Sequence, residues 1–259
     1  MLGTRYTHGS PCWIDLGSPD TAAAAEFYAT VFGWEHRSAG PAGGGYGFFQ
    51  QDGATVAALG PLTEEGARSA WTVYFRTSDA ATTQMVTAAE GGRVRMRATE
   101  VMDAGRTAAL TDPAGAEFAV WQPGSVKGLD RTSSPGTLVW VELHTPDAEA
   151  ALGFYRSLFE WRWASMEAPG MTYRVVSTAE GDQDAASFGG AAELRDSGER
   201  TRWIPYFQVA DVDATADAVT VSGGAVPIAP TDIPDVGRLA WFTDPAGAEF
   251  AVLDPRPMG

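Results

Sequence analysis

Two polar side chains stand two residues apart in an otherwise apolar run, Glu142 and His144 within Val139-Trp140-Val141-Glu142-Leu143-His144. On an extended strand such residues share a face and lie about 7 Å apart along it, close enough to couple through a bound molecule or water. Burial works against a bare carboxylate, and a neighbouring carboxylate favours a charged imidazole, so the pair could pass a proton as acid and base. The competing use is structural: two satisfied polar residues in a strand wall, or a pair at the strand's solvent end. A similar stretch near the N-terminus, Trp13-Ile14-Asp15-Leu16-Gly17, has Asp15 and Gly17 at the matching places. The chemistry of the pair therefore belongs to the later stretch alone.

Other residues could hold a ligand rather than transform it. Trp13, Tyr74, Trp121, Trp140 and Tyr206 offer large flat surfaces of the kind that small-molecule pockets use. Packing of sheet against sheet is their alternative use. Asp15 and Arg76 could pair with each other or hold a polar group, and Tyr206 or Gln208 could hold a ligand oxygen. Glu117 and Glu249 follow tight turns, which places them nearer a rim than a core. Gly43-Gly44-Gly45 is a connection and not a phosphate loop, because no Lys-Ser/Thr follows it. Neither a G-x-S-x-G elbow, an H-E-x-x-H helix nor a dinucleotide fingerprint occurs.

The elements that must position these residues are written twice. Trp13-Ile14-Asp15-Leu16 leads through Pro19-Asp20 to Phe27-Tyr28, Phe32 and Trp34; Trp140-Val141-Glu142-Leu143 leads through Pro146-Asp147 to Phe154-Tyr155, Phe159 and Trp161. The block Thr111-Asp112-Pro113-Ala114-Gly115-Ala116-Glu117-Phe118-Ala119-Val120 returns as residues 243–252. Within the first copy, Cys12 to Leu16 alternates as a strand, with Cys12 in the core. Ser18-Pro19-Asp20 predicts a helix start with Ser18 as its side-chain cap, Pro19 at the first helical position and Asp20 as an early acid, and Gly33 predicts a helix stop. Tyr46–Gln51 and Ala54–Leu59 flank Asp52-Gly53 as a hairpin. A strand at Trp71–Thr77, a helix at Asp79–Glu90 and three more strands complete the copy. We expect two like domains at residues 1–123 and 137–259, with a polar, turn-rich linker at 124–136.

Composition narrows the partners. The chain has 259 residues, 44% hydrophobic, with 33 acidic against 18 basic side chains and a formal net charge of −15. That balance opposes a phosphate backbone, excludes nucleic acid as a partner and would suit a cationic ligand. A single cysteine asks for no oxidising compartment. No apolar run approaches the roughly 20 residues of a membrane span, and no leader-like start is present, so a cytoplasmic protein without a membrane partner is expected.

The strand-helix opening with its Phe-Tyr and Phe-Gly-Trp, together with the Asp-Pro-x-Gly turn before the final strand, resembles the vicinal oxygen chelate superfamily of glyoxalases, extradiol dioxygenases and bleomycin-resistance proteins. Two-domain glyoxalase-like chains labelled as hydroxylases resemble it most, although no flavin, haem or iron signature supports that label. The resemblance implies an α+β fold: two tandem domains, each of paired βαβββ modules forming a cupped mixed sheet with helices on its outer face. In metal-dependent members His, Glu or Gln ligands project from the first and last strands. The matched positions are Trp13, Thr72 and Ala119 in the first copy and Trp140, Ile204 and Ala251 in the second, none of them a donor for a divalent ion. The expectation is a cofactor-free, metal-free protein that binds a small organic molecule, planar or cationic, in an aromatic-lined cup. The alternative is a cofactor-independent acid-base enzyme of isomerase or lyase type using Glu142 and His144, and a third use is a homodimer interface.

Overall fold

The computed structural model describes residues 2–168, 171–194, 196 and 198–255. It is an α+β fold in which one five-element pattern recurs four times. The first module is β1 (Pro11–Ser18), α1 (Thr21–Phe32), β2 (Glu35–Ser38), β3 (Gly47–Gln51) and β4 (Ala54–Pro61). The second is β5 (Ala70–Arg76), α2 (Ala80–Ala89), β6 (Arg93–Val101), β7 (Gly105–Thr111) and β8 (Glu117–Pro123). The third is β9 (Leu138–Thr145), α3 (Ala148–Phe159), β10 (Arg162–Ala168), β11 (Met171–Ser177) and β12 (Ser187–Glu193). The fourth is β13 (Arg202–Gln208), α4 (Val212–Val221), β14 (Ala225–Ile233), β15 (Gly237–Thr243) and β16 (Glu249–Pro255). The strands form two eight-stranded mixed sheets, ordered β2-β3-β4-β1-β5-β8-β7-β6 and β10-β11-β12-β9-β13-β16-β15-β14.

Local chemistry accounts for the element ends. Asp20, Asp79, Asp147 and Asp211 each cap a helix, Asp20 accepting from the amides of Ala22 and Ala23 at 3.1 and 3.0 Å. A cap of this kind is worth about 1 kcal/mol. The cap thus sits two residues beyond Ser18, whose hydroxyl instead accepts the Asp20 amide at 3.2 Å; Pro19 lies outside the helix. Gly33 ends α1 in the left-handed region at φ 72°, as expected, while Glu160 takes the same role after α3 at φ 58°. The Asp52-Gly53 hairpin has positive φ at both residues, 51° and 78°, the twist that a two-residue connection requires.

The chain packs into two compact units. One joins Thr72–Gly128 to Trp140–Ile204 and includes the N-terminal segment to Trp13; the other joins Ile14–Trp71, Leu129–Val139 and Pro205–Gly259. Each unit therefore draws one module from each sequence copy. In the first unit Tyr155 is the hub: it stacks on Trp161 at 5.0 Å and meets Phe118 edge-on at 5.3 Å, while Phe75 meets Trp161 and Trp203 at 4.9 and 5.1 Å. In the second, Tyr28 stacks on Trp34 at 5.7 Å and touches Trp71 and Phe250. Aromatic pairs of this geometry add about 0.5–1.5 kcal/mol each beyond the area they bury.

Each hub hydroxyl is also a hydrogen-bond relay. Trp203 Nε1 donates to Tyr155 Oη at 2.9 Å, and Tyr155 donates to Asp112 Oδ2 at 3.2 Å. In the other unit Trp71 donates to Tyr28 at 3.1 Å and Tyr28 to Asp244 at 3.4 Å. The second oxygen of Asp112 accepts the amides of Ala114 and Ala116, closing the repeated turn. Burial raises the Asp112 and Asp244 carboxyls above the usual range despite these donors.

This packing fixes which strand faces meet the helices. Phe75, Phe118 and Trp203 lie against Tyr155 of α3, and Phe207 and Phe250 lie against Phe32 of α1. By strand alternation Tyr74, Arg76, Ala119, Tyr206, Gln208 and Ala251 take the helix-free face. In β1 and β9 the same parity holds: Cys12, Val141 and Leu143 are fully buried, while Trp13 and Trp140 are partly exposed. The Cys12 sulfur is enclosed 3.6 Å from the Tyr74 carbonyl oxygen, and burial drives its thiol pKa far upward.

Candidate functional site

Glu142 and His144 project from β9 and meet: His144 Nε2 lies 2.6 Å from Glu142 Oε1. Both are buried, at 8% and 3% exposure. The other carboxylate oxygen, Oε2, accepts the hydroxyl of Tyr173 at 2.7 Å, and Tyr173 in turn accepts the indole N–H of Trp140 at 3.0 Å. Four residues from two strands therefore form one continuous hydrogen-bonded chain within one unit. Hydrogen bonds this short are strong ones, and the low dielectric of a buried wall sharpens them.

The backbone explains how Tyr173 arrives. β12 lies between β9 and β11, in parallel register with β9, so that Gly190 stands beside Glu142 and Ala192 beside His144. Tyr173 must cross β12 to reach the carboxylate. Gly190 leaves the space: a Cβ there would fall against the Tyr173 hydroxyl and ring. Burial, the facing charge of Glu142 and the bond to Glu142 all raise the Tyr173 pKa well above its usual value, against the smaller opposing pull of Trp140. The phenol stays protonated at neutral pH and acts as a donor.

The other sequence-predicted residues are distributed between the units. In the first unit Tyr74 pairs in register with Ala119, and Arg76 with Trp121, along the helix-free face. Trp121 is buried and spends its indole N–H on the Val126 carbonyl at 3.0 Å. Trp13 is half-buried on β1. In the second unit Asp15 accepts the Tyr46 hydroxyl at 3.1 Å, and Tyr206 accepts the Trp241 indole N–H at 2.9 Å. Gln208 is half-buried, with its backbone bonded to Gly136 and Thr137. Glu249 is half-buried at the start of β16, opposite Thr243; Glu117 is exposed and pairs with Arg95 at 3.3 Å.

Sequence reasoning missed Tyr173, Tyr46 and Trp241. The tyrosines carried a readable signal, since Tyr46 and Tyr173 hold the same place in the two copies and each donates to the acid of its own copy. Trp241 stands beside Ala251 on β15, a position visible only once that strand pairing is known. A shallow groove of about 310 Å³ in the second unit, lined by Val31, Phe32, Gln51, Val209 and Asp211 among others, lies at none of these groups; Asp211 is already engaged in capping α4.

Metal-dependent relatives would use the positions of Trp13, Thr72, Ala119, Trp140, Ile204 and Ala251, whose side chains cannot ligate a divalent ion. Among the described residues no three His, Cys, Asp or Glu side chains converge on one point. Glu142 and His144 are two donors already committed to each other. The residues present do not fit the ion.

The family model described as the Glyoxalase/Bleomycin resistance protein/Dioxygenase superfamily matches residues 12–120 and 137–252, and the chain belongs to that superfamily. A Mycobacterium bovis protein provisionally named glyoxylase CFP32 is 38% identical over 260 residues, covering 98% of both chains. The anthracycline biosynthesis protein DnrV of Streptomyces peucetius is 41% identical over 270 residues, covering 98% of this chain and 96% of that one. The crystal structure of the Mn(II)-bound glyoxalase from Novosphingobium aromaticivorans superposes with a TM-score of 0.63 at 16% identity, over 97% of this chain and 89% of the other, a likeness of fold alone.

Proposed function

We propose that this chain binds a small organic molecule, a drug or a metabolite, against the helix-free sheet face that carries Trp140, Glu142 and His144, and that it does so without a bound metal ion. The observation that carries the reading is the chain Trp140–Tyr173–Glu142–His144, a buried acid and imidazole presented on the side of β9 away from the helices. A wall that needed only to be filled would be filled more stably by apolar side chains, since a buried charged pair rarely improves on them. An aromatic surface beside fixed polar groups suits a planar ligand, and the net charge of −15 suits a cationic one. Relatives named for anthracycline biosynthesis support a ligand with fused flat rings. A cytoplasmic site of action fits a chain with one enclosed cysteine.

A second reading is favoured by the 2.6 Å contact itself. An imidazole backed by a carboxylate is the arrangement that takes a proton and stabilises the resulting cation, which suits an isomerase- or lyase-type step. The name glyoxylase given to a relative supports turnover of a small carbonyl compound. Small molecules released from natively purified protein, identified by mass spectrometry alongside elemental analysis, test the proposal. A co-purifying organic ligand lost in a Trp140→Ala variant is expected; near-stoichiometric Fe, Zn, Ni or Mn would overturn the metal-free part.

A further inference from the structure

One turn is built twice in the molecule, once in each compact unit. In Thr7-His8-Gly9-Ser10 the Ser10 hydroxyl donates to the Thr7 carbonyl at 2.8 Å, and the Gly9 carbonyl accepts Trp161 Nε1 at 2.8 Å. In Ser134-Pro135-Gly136-Thr137 the Thr137 hydroxyl donates to the Ser134 carbonyl at 2.8 Å, and the Gly136 carbonyl accepts Trp34 Nε1 at 2.8 Å. Pro135 therefore holds the place of His8. The His8 ring meets Phe159 edge-on at 5.7 Å, and its Nε2 lies 3.2 Å from the carbonyl oxygen of Leu158, in the last turn of α3. Carbonyls at the end of a helix lack a donor from within it, and the imidazole N–H supplies one.

The proline leaves the matching place open in the other unit. The groove of about 310 Å³ lies there, lined by Pro135, by Val31 and Phe32, which correspond to Leu158 and Phe159, and by Asp211 and Ala214 at the start of α4. Gln51 also lines it, and Gln51 Oε1 is enclosed without a hydrogen-bond donor. Thr178, at the same place in the second copy, has its hydroxyl bonded to the Glu180 carbonyl. Where the ring of His8 has no counterpart, a helix-end carbonyl and an amide oxygen thus face a space that holds no side chain. The negative end of α1 and the exposed carboxylate of Asp211, which accepts the Ala214 amide through Oδ1 alone, favour a cation in that space.

We propose that this groove binds a nitrogen heterocycle of the imidazole type, its ring edge-on to Phe32 and its N–H donated to the Val31 carbonyl, as His8 is held at Phe159 and Leu158. The site belongs to the unit that does not contain Glu142 and His144, so it is separate from the β9 face. Its volume is at the lower end of small-molecule sites and leaves room beside one ring for a substituent. The chain thus carries in His8 a built-in copy of the ligand for its own second groove.

Imidazole itself is the probe, titrated into labelled full-length protein while amide proton–nitrogen spectra are recorded. Saturable shifts are expected at the amides of Val31, Phe32, Gly136 and Ala210 and at the Gln51 side-chain amide, with the millimolar affinity that suits so small a ring. Pro135→His should abolish them by supplying the ring from within, and Ala214→Leu, a good helix former that narrows the groove, should weaken them even if the first variant fails to fold. His8→Ala should open the matching place in the other unit and add a second set of shifts, at Leu158 and Phe159. Thiazole, a ring of the same size with no N–H, should bind at least tenfold more weakly. Shifts that do not saturate, that persist unchanged in folded Pro135→His or Ala214→Leu protein, or that appear equally with thiazole overturn the proposal. Shifts at Trp140, Glu142 and His144 in place of the α1 end would move the ring to the β9 face and overturn this site while leaving that reading standing.

Discussion

Asp112 accepts the hydroxyl of Tyr155 at 3.2 Å, so a turn residue of the first sequence copy is held by a helix residue of the second. Asp244 and Tyr28 make the reciprocal bond, at 3.4 Å, in the other unit. The motif that is repeated along the chain is therefore completed only across the repeat. A fragment ending at residue 123 retains Asp112 and Tyr28 without either partner. Residues 1–123 alone should give no dispersed amide spectrum, and mixing with the complementary half should restore one.

Tyr155→Phe isolates the bond from the packing. The ring stays, but Trp203 Nε1 and Asp112 Oδ2 each lose a buried partner. A cost of about 1–3 kcal/mol is expected, measured as a lower urea midpoint with an unchanged slope.

The two turn aspartates also set a pH dependence. Burial raises both carboxyls in the folded state, so the fold favours their neutral forms. Their contribution is complete below the unfolded Asp pKa of about 3.9 and is lost as pH rises through the raised folded values. Asp112→Asn should flatten the part of the stability profile that falls with rising pH. Thermal unfolding at a series of pH values checks this, and a profile with the wild-type slope would contradict it.

Glu160 ends α3 at φ 58°, where the first copy uses Gly33 at φ 72°. A residue with a Cβ is strained in that region by about 1–2 kcal/mol, partly offset by the larger unfolded-state freedom of glycine. Glu160→Gly should therefore stabilise the chain by about 0.5–1 kcal/mol in denaturant unfolding.

Glu142→Gln separates the two functional readings. If the site transforms its ligand, kcat should fall by about 10²–10⁴-fold with a smaller change in KM. If the site only binds, affinity measured by tryptophan quenching changes and there is no turnover to lose.

The fold was legible because its signals are local and doubled: alternation in β1 and β9, helical spacing through Phe27-Tyr28 and Phe154-Tyr155, and the Asp52-Gly53 turn. The face of Glu142 and His144 followed from counting along a strand. Tyr173 did not, because its approach depends on β12 lying between β9 and β11 and on the missing side chain of Gly190, neither of which is a property of nearby sequence. The compact units were equally hidden: Tyr155 lies close to Trp161 in sequence but far from its partner Asp112, and apolar periodicity says nothing about which distant turn a hydroxyl will find. The Ser18 cap expectation failed on a smaller scale, since Pro19 precedes the cap instead of opening the helix.

Cys12, sealed beneath the backbone of β5, has a practical corollary. A thiol that stays protonated and out of reach at neutral pH reacts slowly with maleimides, so a cysteine introduced on the surface would be the sole labelling site. A dye or spin probe placed beside β9 could then report ligand arrival with the native thiol left in place.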